Sequence, residues 1–79
     1  MTTSDYPPAT IQPGQELALA NGNTLHRLGF DEFQIHDARE RVVASVWYSH
    51  IFGTWRRADT KGPRKGEIQS FPTFAEAIS

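Results

Sequence analysis

Residues 32–58 read EFQIHDARERVVASVWYSHIFGTWRRA, and this stretch decides the fold. Apolar and polar side chains alternate in residues 32–36, and residues 41–48 are rich in β-branched and aromatic types. Both patterns are typical of β-strands. A polar tetrapeptide between these strands and Gly53 after them indicate turns, and residues 54–58 return as a third strand. The stretch therefore predicts an antiparallel meander of three strands.

The long middle strand carries apolar side chains on both of its faces. Neighbouring residues of a strand point to opposite sides, so the strand divides into two sets. One set is Val42, Ala44, Val46 and Tyr48, and the other is Val43, Ser45, Trp47 and Ser49. A helix covers only one face of such a sheet. The face with Val43 and Trp47 is then either closed by an amino-terminal hairpin or left as an aromatic patch, which would suit a protein partner or a homodimer.

Residues 15–28 are compatible with two structures. Asn21-Gly22 is a strong two-residue hairpin signal, because both positions tolerate positive φ. In the alternative, a short helix over residues 16–20 ends at Gly22. The hairpin is favoured, since one and a half helical turns would be marginal on their own.

A short helix is predicted near the carboxy-terminal end. Thr73 and Glu76 have the spacing of a capping box, in which each side chain bonds a backbone amide of the other residue. Phe74 and Ile78 then lie on one helical face, against the sheet. The predicted fold class is α+β: an antiparallel β-meander of three to five strands with this helix packed on one face.

A chain of 79 residues suits one domain, predicted over residues 15–79 after a flexible tail over residues 1–14, which contains three prolines. No cysteine is present, which removes disulfides and favours a reducing compartment. The first residues lack the basic and apolar regions of a signal peptide, and no apolar run approaches the ~20 residues that span a bilayer. We therefore expect a cytoplasmic protein without membrane contact.

Enzymatic activity is not expected. A chain this short buries roughly 60% of its unfolded surface, which leaves little room for a closed pocket. Ser49 and His50 are sequence neighbours and point to opposite faces of a strand, so they are a poor nucleophile–base pair. The three histidines, at 26, 36 and 50, match no metal-ligand spacing. We expect neither a metal nor a cofactor.

Charge is distributed unevenly along the chain. The net charge is −1, but residues 1–40 hold six acidic and two basic side chains, whereas residues 41–79 hold three acidic and six basic ones. Five cations and two aromatic side chains form the candidate binding set: Arg56, Arg57, Lys61, Arg64, Lys65, Trp55 and Trp47. Cations that follow a phosphate backbone beside aromatic rings are typical of nucleic-acid binding. The alternative is a solvated loop, with the tryptophans in the core.

The meander and the following helix resemble two DNA-binding domains, that of the plant ethylene-response factors and the arm-binding domain of phage integrases. The residues that carry this resemblance are Gly53, Trp55, Phe71, Thr73, Glu76 and Ala77. The resemblance implies a sheet that enters the major groove of DNA. The chain departs from both families in its first strand, where Glu32, Gln34 and His36 replace arginines.

Two functions follow as expectations. The first is a small non-catalytic binding module that contacts nucleic acid through the basic loop. The alternative is a protein-binding regulator, or a phage-type inhibitor of a larger host complex such as a nucleic-acid-handling defence complex. Such an inhibitor would use the acidic first half of the chain or the Trp47 face. The two differ in salt dependence, because nucleic-acid binding weakens steeply as salt rises.

Overall fold

The computed structural model describes residues 12–78, which form one antiparallel sheet of six strands and one short helix. The elements are β1 (Glu16–Ala18), β2 (Thr24–Arg27), β3 (Glu32–His36), β4 (Val42–Ser49), β5 (Thr54–Asp59), β6 (Ile68–Phe71) and α1 (Phe74–Ala77). Each strand pairs with the next one in the chain, so the sheet is a simple meander. The α+β class is confirmed. The expected number of three to five strands is wrong, because β1, β2 and β6 all join the predicted three-stranded meander.

The amino-terminal segment is a hairpin, as the Asn-Gly signal indicates, and the helical alternative is wrong. Its loop differs from the expected two-residue turn. The amide of Leu19 donates to the Asn23 carbonyl at 2.8 Å, and the amide of Gly22 donates to the Leu19 carbonyl at 3.2 Å. Of the loop residues, Gly22 has positive φ, at 89°, and Asn21 does not. A type I turn followed by a left-handed glycine gives a three-residue loop instead.

The predicted tail falls mostly outside the described residues, which begin at Gln12. The segment just before β1 is bonded to the sheet, since the amide of Gly14 donates to the Arg27 carbonyl at 2.7 Å. The Gln15 amide donates to the Gln12 carbonyl at 2.9 Å and closes a turn. Residues 12–14 are therefore held against the end of β2.

The core lies between α1 and one face of the sheet. Its buried side chains are Leu25, Phe33, Ile35, Ala44, Val46, Trp55, Phe74 and Ala77. Three rings form its centre: the Phe74 centroid lies 4.8 Å from that of Trp55 and 5.0 Å from that of Phe33. The Phe74–Trp55 contact is edge-to-face, and such a contact stabilises the core beyond the area that it buries.

A β-bulge between β3 and β4 alters the predicted alternation. Ile35 pairs with Ala44, but His36 pairs with Val42, so Val43 is an extra residue. Val43 packs against the core, contrary to the expectation that it shares the other face with Trp47. Trp47 thus lies on the helix-free face without that aliphatic neighbour.

Helix α1 has only four residues and depends on contacts with its surroundings. One half of the predicted capping box forms, because the Thr73 hydroxyl accepts a bond from the Glu76 amide at 3.2 Å. In place of the other half, the Thr73 hydroxyl donates to the Glu76 carboxylate at 3.0 Å. The end of the helix is held by Arg57, whose guanidinium donates to the Ala77 carbonyl at 2.9 Å. Both ends therefore satisfy backbone groups that a short helix otherwise leaves unpaired.

Candidate functional site

The meander places two kinds of loop at opposite ends of the sheet. The loops after β2 and β4, residues 28–31 and 50–53, lie at one end, which we call the apolar end. The loops after β3 and β5, residues 37–41 and 60–67, lie at the other, which we call the charged end. This separation follows from the antiparallel order of the strands.

Four large apolar side chains project from the apolar end. Their exposed fractions are 53% for Leu28, 71% for Phe30, 89% for Ile51 and 65% for Phe52. Large apolar side chains gathered in one region of a small domain are unusual for a solvated surface and are typical of interaction sites. The sequence analysis did not select any of the four.

The two apolar loops are bonded to each other. The His50 imidazole forms a short hydrogen bond with the Asp31 carboxylate, and the Tyr48 amide donates to the Asp31 carbonyl at 3.1 Å. Arg27, at the end of β2, holds the loop 28–31 in place, since its guanidinium donates to the carbonyls of Gly29 and Phe30, each at 3.0 Å. The four apolar side chains therefore stand on a braced pair of loops.

The helix-free face adjoins this end through three residues, which we call the Trp47–Arg56–Phe52 cluster. Trp47 of β4 and Arg56 of β5 are direct cross-strand partners. The guanidinium carbon of Arg56 lies 4.8 Å from the centroid of the Phe52 ring, within the range of a cation–π contact. Two of the seven predicted site residues are thus brought together, beside a phenylalanine that the sequence analysis did not select.

Two other predicted site residues face the core side. Trp55 has no exposed surface, so its ring has no face left for stacking on a base. The guanidinium of Arg57 bonds the Asp59 carboxylate at 2.8 Å as well as the Ala77 carbonyl. Strand alternation separates Arg56 from Arg57 despite their adjacency in sequence. The candidate set is therefore not one continuous surface.

The remaining predicted cations, Lys61, Arg64 and Lys65, are exposed in the loop between β5 and β6. Two of them have acidic partners: the Lys61 ammonium lies 3.3 Å from the Asp37 carboxylate, and the Arg64 guanidinium lies 3.9 Å from that of Glu67. Their charge is therefore partly offset within the loop region. Exposed pairs of this kind contribute little to stability.

Asp37 is the centre of the charged end. Its carboxylate accepts bonds from the backbone amides of Arg41 at 3.0 Å and Arg39 at 2.8 Å, and from the Arg41 guanidinium at 3.1 Å. The bond from the Arg41 amide, supported by the Arg39 amide, Lys61 and the Arg41 charge, holds the pKa of Asp37 well below its usual range, against the effect of desolvation. This carboxylate joins the loop after β3 to the loop after β5.

A cleft of about 180 Å³ lies on the helix-free face near the charged end. Its lining includes His26 and His36, whose rings are stacked with centroids 3.8 Å apart, and Glu16, the cross-strand partner of His26. Within residues 12–78, no three His, Asp or Glu side chains are placed to hold a metal ion. In the same range, no helix is long and apolar enough to cross a membrane.

Comparison of the chain with protein-family models, with curated proteins and with solved structures finds no match. The likeness to the two DNA-binding domains therefore remains a resemblance in the residues quoted above. The functional argument depends on the site geometry alone.

Proposed function

We propose that the chain is a non-catalytic protein-binding module, a regulator that contacts a larger partner through the apolar end and the adjoining Trp47–Arg56–Phe52 cluster. The observation that carries this proposal is the exposure of Phe30, Ile51 and Phe52 on two loops that are bonded to each other. Exposing such side chains in solution forgoes about 1.5–3 kcal/mol of burial free energy each. A partner surface that covers them recovers part of that free energy.

The composition of the surface supports a protein partner. Aromatic side chains and arginine are enriched in the parts of protein interfaces that contribute most binding energy. At this end Phe52, Trp47 and Arg56 occur together, and Phe30 in the neighbouring loop lies beside Arg27. Nucleic acid would instead require a track of several cations along the same surface.

Affinity capture from a cell lysate tests the proposal when matched variants are compared. The test variant is Ile51→Asp with Phe52→Asp, and the control variant is Arg64→Glu with Lys65→Glu at the charged end. We expect the wild type and the control to capture the same partner protein from a lysate treated with nuclease. The test variant should not capture it. Loss in the control with retention in the test variant would contradict the proposal. Unchanged thermal unfolding must show that both variants are folded.

The charged end supports a second candidate, nucleic-acid binding through Lys61, Arg64 and Lys65. The favouring observation is that all three side chains are exposed in one loop, and Lys65 has no ion-pair partner within residues 12–78. Titration of duplex and single-stranded oligonucleotides at two salt concentrations tests it. Binding that weakens steeply with salt and disappears in the Arg64→Glu, Lys65→Glu variant would support this candidate. No wild-type binding at low salt would exclude it.

A further inference from the structure

The three unpaired buried polar atoms within residues 12–78 lie in one region. They are Asp31 Oδ1, in a loop of the apolar end, and Thr54 Oγ1 and Arg56 Nε, in the first half of β5. Buried polar atoms in folded proteins nearly always have partners, so an exception needs a cause. Thr54 and Arg56 are two residues apart on one strand and therefore point to the same, helix-free face. Both side chains therefore lie on the helix-free face, and neither buried atom has a partner within the described residues.

Arg56 differs in this respect from the other arginines whose Nε takes part in the fold. The Nε of Arg27 donates to the Gly29 carbonyl, that of Arg41 to Asp37, and that of Arg57 to Asp59. The ion pairs within residues 12–78 include Arg41, Arg57 and Arg64 but not Arg56. Arg56 is therefore a half-buried cation with no ion-pair partner within 4 Å among the described residues.

The surroundings of Arg56 favour one kind of occupant. Its cross-strand neighbours are Trp47 on β4 and Ser70 on β6, and its guanidinium lies over the Phe52 ring. Glu32 lies on the same face but two strands away, where it is the cross-strand partner of Trp47, and the strands themselves are about 10 Å apart. Arg56 therefore lies over one aromatic ring and between the uncharged residues Trp47 and Ser70.

From this geometry we infer that the Trp47–Arg56–Phe52 cluster receives an acidic–apolar segment of a partner protein. One carboxylate of that segment accepts from the terminal Nη groups of Arg56, which unlike Nε are not buried, while an adjacent apolar side chain packs on Phe52 and Ile51. This inference rests on the proposed protein-binding function and specifies the chemistry of the partner. The charge complementarity of a lone cation beside apolar side chains carries it.

A nucleic-acid strand fits the same place less well. Successive phosphates need successive cations, and the direct neighbours of Arg56 on the sheet are uncharged. The protruding Ile51 side chain, 89% exposed, also requires an apolar contact that a phosphate backbone does not provide. The oligonucleotide is accordingly the competing probe in the test.

Arginine Nε–H signals in a ¹H–¹⁵N correlation spectrum give a direct readout. The probe is a short peptide in which glutamate alternates with leucine and phenylalanine, and its matched control has glutamine in place of every glutamate. We expect the acidic peptide to shift the Arg56 Nε–H signal together with the amides of Ile51 and Phe52. The Nε–H signals of Arg27 and Arg57, which are already bonded within the fold, should stay in place.

Variants sharpen the test. Arg56→Gln should weaken binding of the acidic peptide by about tenfold or more, the loss typical of a hydrogen bond to a charged group. The same change should leave binding of the glutamine peptide unaltered. Thermal unfolding of Arg56→Gln checks that the fold is kept, and Arg56→Lys should restore part of the affinity because it keeps the charge.

The outcomes separate this inference from the proposed function. In one outcome, both peptides shift the amide signals of Ile51 and Phe52 while the Arg56 Nε–H signal stays in place. In that case the apolar end binds protein, but the proposed bond between Arg56 and a carboxylate is wrong. If oligothymidine shifts Arg56 Nε–H and the acidic peptide does not, the site binds phosphate and the inference is overturned. If no probe shifts Arg56, the inference is also overturned, and the capture experiment still decides the proposed function.

Discussion

At the charged end of the sheet, Asp37 accepts bonds from Arg41 and Arg39 and attracts Lys61 from the neighbouring loop. At the apolar end, by contrast, Phe30 and Ile51 are largely exposed and Arg56 Nε has no acceptor. Both ends are built on the same strands. Most charged groups at the charged end therefore have partners in the fold, whereas the apolar end leaves both apolar area and hydrogen-bonding capacity unused.

The end with more charges is therefore not the better candidate for a binding surface. Most cations of the charged end have partners in the fold, so a ligand there must compete with existing contacts. At the apolar end, Phe52 and Arg56 offer contacts that the chain itself does not use. A surface with unpaired polar groups gains more binding free energy from a partner than a surface whose polar groups are already paired.

The largest expected difference in the free energy of unfolding is between the loss of a buried ring and the loss of an exposed one. Phe74→Ala removes a ring that packs on Phe33 and Trp55, and should lower the free energy of unfolding by about 3–5 kcal/mol. Phe52→Ala removes a ring of the same size that is 65% exposed, and should cost about 0.5–1 kcal/mol at most. Urea denaturation of both variants measures the difference.

Equal losses of unfolding free energy in these two variants would contradict the contrast between the two ends, because the Phe52 ring would then contribute to the stability of the fold. Such a result would place the apolar end in the core and remove the reason to regard it as a binding surface. An unfolded Phe74→Ala variant agrees with the prediction, since a domain of this size has little stability beyond the expected loss.

A smaller effect should separate the two adjacent arginines. Arg57→Ala breaks the bonds to Asp59 and to the Ala77 carbonyl, and should cost about 1–3 kcal/mol. Arg56→Ala breaks no hydrogen bond through Nε and loses mainly the contact with Phe52, so about 1 kcal/mol is its upper limit. Thermal unfolding of the two variants in parallel provides the measurement. A larger loss for Arg56→Ala would contradict the assignment of this side chain to binding.

The sequence was sufficient to predict the middle of the sheet and the helix. In β3 to β5 and α1, the local pattern and the tertiary contacts favour the same elements, so their positions were predicted, although the bulge at Val43 was not. The strand β6 has four residues, too few for a clear period, and it forms because β5 is there to pair with it. The hairpin of β1 and β2 was within the predicted range of three to five strands, and β6 exceeds that range.

The candidate site was predicted only in part, for a different physical reason. Strand alternation places Trp55 and Trp47 on opposite faces, but it does not say which face the helix covers. Both tryptophans and both arginines of β5 were therefore assigned to one surface. The turn that contains Ile51 and Phe52 had a usable signal, since two large apolar side chains in a turn are costly unless they are buried or bound.

The smallest effect concerns the charge of Asp37. The folded state lowers its pKa, so the ionised carboxylate stabilises the fold at pH values above the unfolded pKa of about 4. This contribution is lost progressively as the pH falls below that value, because the unfolded chain then binds a proton that the folded chain resists.

Asp37→Asn keeps an oxygen acceptor for the Arg41 amide and removes the charge. The wild type should therefore unfold at a slightly higher temperature than Asp37→Asn at pH 7, and the gap should narrow towards pH 3. Glu67→Gln is the matched control, since its contact with Arg64 is 3.9 Å long and exposed, and it should alter the unfolding temperature at neither pH. If Asp37→Asn and Glu67→Gln behave alike at both pH values, the charged end does not stabilise the fold through its ion pairs. Its cations would then be as available to a partner as Arg56 is, and the contrast between the two ends would disappear.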